Sequence, residues 1–142
     1  MGLMAALWGA LAAPSGDGDD QALLSDADYV AARAALKAGD ARAAVARLDR
    51  ALKRFPDNAD VHNELGFAHR SLKQFDKAFM HYRLALDIDP RHRGAHEYIG
   101  EAYLMVGNRP AAERHLALLR QICLLSCEEL RDLEKAIASA PR

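Results

Sequence analysis

A period of 34 residues governs this chain from Ser25 onward, and it restricts the fold more than any composition does. Three blocks align without a gap: "SDADYVAARAALKAGDARAAVARLDRALKRFPDN" (25–58), "ADVHNELGFAHRSLKQFDKAFMHYRLALDIDPRH" (59–92) and "RGAHEYIGEAYLMVGNRPAAERHLALLRQICLLS" (93–126). Small residues recur at position eight (Ala32, Gly66, Gly100) and at position twenty (Ala44, Ala78, Ala112). Larger ones recur at position twenty-four (Leu48, Tyr82, Leu116). Small side chains let two helices approach closely while the larger ones fill the space beside that contact. Gly39 and Gly107 fall between the two helices of their blocks, where a residue free to take positive φ ends the first helix. Pro56 and Pro90 stop the second helix, because proline lacks an N–H and disfavours helix in the residue before it. Each block is therefore expected to be a helix, a tight turn and a second helix, giving an all-α chain.

Such hairpins cannot bury their apolar faces alone, so stacked units share one core and the last needs a lid. The segment 127–142 supplies it. Leu130, Leu133 and Ile137 form one apolar stripe at helical spacing, with Glu128, Asp132, Glu134 and Lys135 around the remainder.

Over residues 25–126 this pattern resembles the tetratricopeptide repeat family, with 59–92 matching nearly every signature position. The resemblance implies a right-handed α-solenoid of three repeats closed by a C-terminal capping helix. It also implies a concave groove, lined by the first helix of each repeat, that binds an extended peptide or a helix of a partner. Carried over position by position, the groove residues are Tyr29, Arg33 and Lys37, then Asn63, Glu64, Phe67 and Arg70, then Glu97, Tyr98, Glu101 and Met105. Aromatics and arginine dominate interface energies, and a basic end opposite an acidic end sets a partner's direction. The Lys and Asn clamp with which some members hold acidic chain termini is poorly matched, since Glu64 and Tyr98 stand where it needs Asn and Arg. Block one departs most from the pattern, with Asp28, Ala31 and Ala32 at signature positions, and its first helix is expected to be looser.

Other functions find little support. Formal net charge is −1 with no block of like charge, which argues against a nucleic-acid or membrane-surface binder. There is no Gly-rich phosphate loop and no nucleophile elbow. "AHEYIG" misses a zincin motif because Gly100 stands where the second His belongs. His62 and His96 share position four, and His81 and His115 share position twenty-three, so the histidines are read as packing groups. No cofactor and no enzymatic activity are expected.

The two cysteines, Cys123 and Cys127, straddle the break between the last repeat and the lid, where Ser126 and Glu129 have capping-box spacing. A continuous helix opposes a disulfide at this spacing and a kink permits it. The leading reading is a structural disulfide; free buried thiols and a soft-metal or thiol-redox pair are the alternatives. Residues 1–13 read as a signal peptide, with "ALA" at 10–12 as a small-x-small cleavage site, and 14–24 as a flexible linker. The combined expectation is an exported, periplasmic adaptor without catalysis. A metal-handling accessory using Cys123 and Cys127 is the alternative, as is a cytoplasmic location. The open face of block one leaves room for the apolar run from Leu3 to Leu11, or for a second copy.

Overall fold

A computed structural model describes residues 17–142. The expected apolar leader 1–13 lies outside these residues. Among the described residues there are eight α-helices and no strand: α1 (Asp17–Leu24), α2 (Ala27–Lys37), α3 (Ala41–Arg54), α4 (Ala59–Ser71), α5 (Phe75–Ile88), α6 (Arg93–Met105), α7 (Arg109–Cys123) and α8 (Glu128–Ser139). The chain is a helical solenoid.

Local chemistry starts and stops these helices. Side chains of Asp26, Asp40, Asn58, His92 and Asn108 each accept a backbone N–H from the first turn of α2, α3, α4, α6 and α7. The three hairpin turns share a left-handed residue at position fifteen. Gly39 and Gly107 have φ of 81° and 79°, and Lys73 takes φ 60° in the middle repeat. At Lys73 a side-chain residue occupies the conformation that glycine adopts without steric cost.

Each hairpin packs on itself and on the next: α2 with α3, α3 with α4, α4 with α5, and so on to α7 with α8. The first helices also touch in series, α2 with α4, α4 with α6 and α6 with α8, whereas α3, α5 and α7 do not touch one another. The row is therefore tighter along the first helices, and that side is concave. The core follows the repeat: Ala32, Ala44, Leu48, Leu65, Ala78, Tyr82, Ala102, Ala112, Leu119 and Leu133 are fully buried. The close approaches are tight. A Cβ on Gly66 would lie 2.5 Å from the Tyr82 ring, and one on Gly100 would lie 2.8 Å from Leu133.

Two expectations are corrected. The linker reading of 14–24 fails over Asp17–Leu24, which is helix α1; Leu23 is 1% exposed and packs with Tyr29 and Leu48. A single well-placed leucine anchors a segment whose Gly and Asp content argued for coil. The capping box also fails. Cys127, not Ser126, is the N-cap of α8 and makes no side-chain cap bond; the Ser126 hydroxyl instead accepts from Arg131 at 3.0 Å. Leu124 turns to φ 56° and starts the break early, so that α8 begins one residue later than the box requires. The lid itself forms as expected, with Leu130, Leu133 and Ile137 buried.

Candidate functional site: the inner groove

The concave side is organised around one cluster. Phe67 from α4 and Tyr98 from α6 meet with ring centroids 5.1 Å apart. The Arg70 guanidinium lies 4.9 Å from the Phe67 centroid and 5.3 Å from that of Tyr98. Arg70 Nη1 donates to the Tyr98 carbonyl at 3.2 Å and to Glu101 Oε2 at 2.5 Å. Arg70 is 9% exposed, so its charge is largely committed within the chain. It fastens α4 to α6 and sets the spacing of the groove; it is not a free hook for a partner. Removing it would leave Glu101 unpaired and take a cation from beside two rings.

Two cavities flank this cluster. The larger, of about 510 Å³, lies towards the C-terminal ends of α4 and α6 and is lined by Arg70, Lys73, Glu101, Leu104 and Met105, with Ala136 of α8. Met105 is 47% exposed, an apolar and adaptable side chain offered to solvent at the cavity's edge. The smaller cavity lies towards the start of α6 and α8 and includes Asn63, Glu97 and Tyr98. Burial, together with the nearby charges of Glu101, Asp132 and Glu129, pushes the Glu97 carboxyl up to about 8.

The expected groove residues thus divide. Arg70, Glu101 and Met105 meet at the larger cavity, and Asn63, Glu97 and Tyr98 at the smaller one, with Phe67 on the aromatic wall between helices. Tyr29, Arg33, Lys37 and Glu64 line neither of these cavities. Tyr29 is 4% exposed and belongs to the core of the first repeat. Arg33 Nε stands 3.9 Å from Glu64 Oε1, and Lys37 is exposed. Burial raises the Glu64 carboxyl, with Arg33 opposing. The residues that sequence reasoning missed come mostly from the lid: Glu128, Glu129, Asp132 and Ala136 all face the groove cavities. Their signal was present, since a lid that stacks on α6 continues the row of first helices. Sequence spacing instead puts Glu128 and Asp132 on the solvated face of the lid and Glu129 in a capping box.

The histidines behave as a repeated packing device. In the second and third repeats His62 and His96 pair with His81 and His115, Nδ1 to Nδ1, at 3.1 Å and 2.9 Å. The Pro56 and Pro90 carbonyls can only accept, so Nε2 of His62 and of His96 donates to them, at 3.0 Å and 2.8 Å. In the neutral pair the remaining nitrogen then accepts from the Nδ1–H of His81 or His115. Among the described residues no three His, Cys, Asp or Glu side chains are grouped so as to hold a metal ion. The Cys123 and Cys127 sulfurs lie at bonding distance, 2.06 Å, across the α7–α8 break, with Cα atoms 5.8 Å apart.

Comparison with known proteins follows this geometry. Residues 29–92 match the family described as tetratricopeptide repeat. Over these residues the chain carries tetratricopeptide repeats. It is 34% identical over 76 residues to Cell division cycle protein 27 homolog A of Arabidopsis thaliana, a match that covers 50% of this chain and 11% of that protein. The chain therefore spans about a tenth of the length of that curated relative. Tetratricopeptide repeats mediate protein–protein interaction. Among the described residues no helix is long and apolar enough to cross a membrane.

Proposed function

We propose that this tetratricopeptide repeat chain is a non-catalytic adaptor that holds a helix or extended segment of a partner protein in the groove formed by α4, α6 and α8. The larger cavity carries this reading: its floor is fixed by the Arg70, Phe67, Tyr98 and Glu101 cluster, and its edge offers Leu104 and Met105 between Lys73 and Glu101. A groove held by interior packing is ordered before a partner arrives, so binding loses less entropy. Met105→Lys with Lys73→Glu alters only exposed positions. Peptides selected from a random-sequence display library on the immobilised chain are expected to bind this variant at least about tenfold more weakly, by fluorescence polarisation. Unchanged binding of every selected peptide would rule out the groove.

We further propose that the adaptor works in an oxidising compartment, in the cell envelope. The support is the Cys123–Cys127 pair at bonding distance, since structural disulfides persist outside the reducing cytosol. Alkylation and intact mass of protein from its native compartment decide this. Two blocked cysteines agree with export; two free thiols would place the chain in the cytoplasm and return the pair to thiol chemistry.

A further inference from the structure

The smaller cavity has a chemistry of its own. It measures about 230 Å³, lies among α4, α6 and α8, and is lined by Asn63, Gly94 and Tyr98 with four acids, Glu97, Glu128, Glu129 and Asp132. Of the neighbouring cations, Arg70 is committed to Glu101, and Arg93, 53% exposed, stands 3.8 Å from Glu129, which leaves the other three acids without an ion-pair partner among the described residues.

One buried acceptor in this wall lacks a donor, and a largely buried carboxyl stands beside it. Asn63 is 6% exposed and its Oδ1 has no hydrogen-bond partner. Glu97 is 8% exposed and makes no hydrogen bond or ion pair with the Arg70 that passes nearby, which is engaged by Glu101. Buried polar atoms in folded proteins are nearly always satisfied, so an unpartnered amide oxygen beside a buried carboxyl indicates a missing donor. Gly94 keeps the wall open, because a Cβ there would stand 3.3 Å from Asn63 Nδ2.

We propose that this cavity receives the guanidinium of an arginine side chain projecting from the partner segment held in the groove. The proposal rests on the groove reading and names what that partner must carry. The Asn63 amide oxygen accepts, and each of the four acids accepts once ionised. Arginine offers five N–H donors in a fixed planar fork and no acceptor. A single metal ion is a poorer match, since among the described residues no three such ligands are grouped to hold one, whereas a planar fork reaches acceptors that stand apart. A lysine ammonium supplies charge without the fork.

Binding is coupled to a proton. The groups facing Glu97 are Asn63 and Arg70 on α4, Tyr98, Glu101 and Arg93 on its own helix, and Glu128, Glu129 and Asp132 on α8. In the free chain burial and the surrounding acids hold the Glu97 carboxyl up to about 8, so near neutral pH it is largely protonated. An inserted cation favours the ionised form and releases that proton. Affinity for an arginine peptide therefore rises from about pH 6 to about pH 8, by up to roughly fiftyfold.

The test uses the full chain and peptides selected on it at about pH 8 from a random-sequence display library. Each is resynthesised with its arginine intact and with Arg replaced by Gln. The expected result is one arginine register shared by the groove-dependent peptides, with a loss of about tenfold or more on replacement by Gln. Glu97→Gln with Asp132→Asn removes that difference and the pH dependence while leaving the Gln peptides' affinity unchanged. Circular dichroism melts establish that each variant is folded. Groove-dependent peptides with no arginine register, or with one indifferent to the cavity variant, overturn the proposal and leave the groove standing. A preference for lysine at that register overturns the guanidinium assignment. Peptides all indifferent to Met105→Lys with Lys73→Glu overturn both readings together.

Discussion

Positions four and twenty-three of the repeat meet across the helical hairpin in all three units, but not with the same chemistry. In the first unit Asp28 pairs with Arg47 at 3.1 Å, at the surface, and Arg50 and Arg54 reach the same carboxylate. Arg54 also holds Asp26, at 2.7 Å and 2.8 Å, which in turn caps α2. In the second and third units the same two positions carry histidine pairs tied to a proline carbonyl of the preceding unit. The first unit has no preceding repeat proline to tie to. Its end is therefore closed by charges that tolerate water, and the interior units by neutral rings that exclude it. The expectation of a looser first helix took Asp28 as a defect, whereas Asp28 is the centre of an arginine network.

The same contrast appears at positions eight and twenty-four. Ala32 packs in one cluster with Leu48, while Gly66 lies under Tyr82. The larger ring demands the smaller helix partner. Gly66→Ala sharpens this comparison most: the added methyl meets a fully buried ring that has no room to move, and we expect a loss of about 3 kcal/mol and a Tm lower by roughly 10 °C. Gly100→Ala meets the flexible end of Leu133 instead and is expected to cost about 1 kcal/mol. Equal losses in denaturant melts would show that the two contacts do not differ in stiffness.

Acid should separate the units next. Burial and the neighbouring histidine hold His81 and His115 down to about 4, below the ordinary histidine value, and burial also lowers His96. Protonation therefore favours the unfolded chain. The contribution of these pairs is full above about pH 6.5 and is lost as pH falls towards about 4. Asp28 behaves oppositely: hydrogen bonds from Arg47 and Arg54 lower its carboxyl to about 2, so its ion pairs persist through that window. Amide exchange during acidification is expected to show protection falling first in α4 to α7, and later in α2 and α3. Simultaneous loss would mean that the solenoid unfolds as one unit whatever its local chemistry. The smallest effect is expected from Arg54→Ala. Exposed ion pairs contribute little in water, so Tm should move by no more than about 2 °C, and a larger shift would show the network to be a structural lock.

The repeat period, the hairpins, the lid and the kind of repeat were legible in the sequence, because small and large residues recurring at fixed offsets can satisfy close packing in few other ways. Ala44, Ala78 and Ala112 had to be buried, and they are. Tertiary structure decided what each polar side chain faces. Arg70 looks in sequence like a free basic contact and instead lies against two touching rings, because its neighbour across the groove, Tyr98, is 28 residues away in the chain. Glu128 and Asp132 looked like solvated positions on the lid and instead border a cavity, because α8 stacks on α6 and continues the inner row. Helix α1 escaped notice because one leucine, Leu23, holds it to a core built by other segments. Periodicity reports which face of an element is apolar. Which element lies opposite, and hence which carboxylate is buried and which arginine is committed, depends on contacts that no local pattern contains.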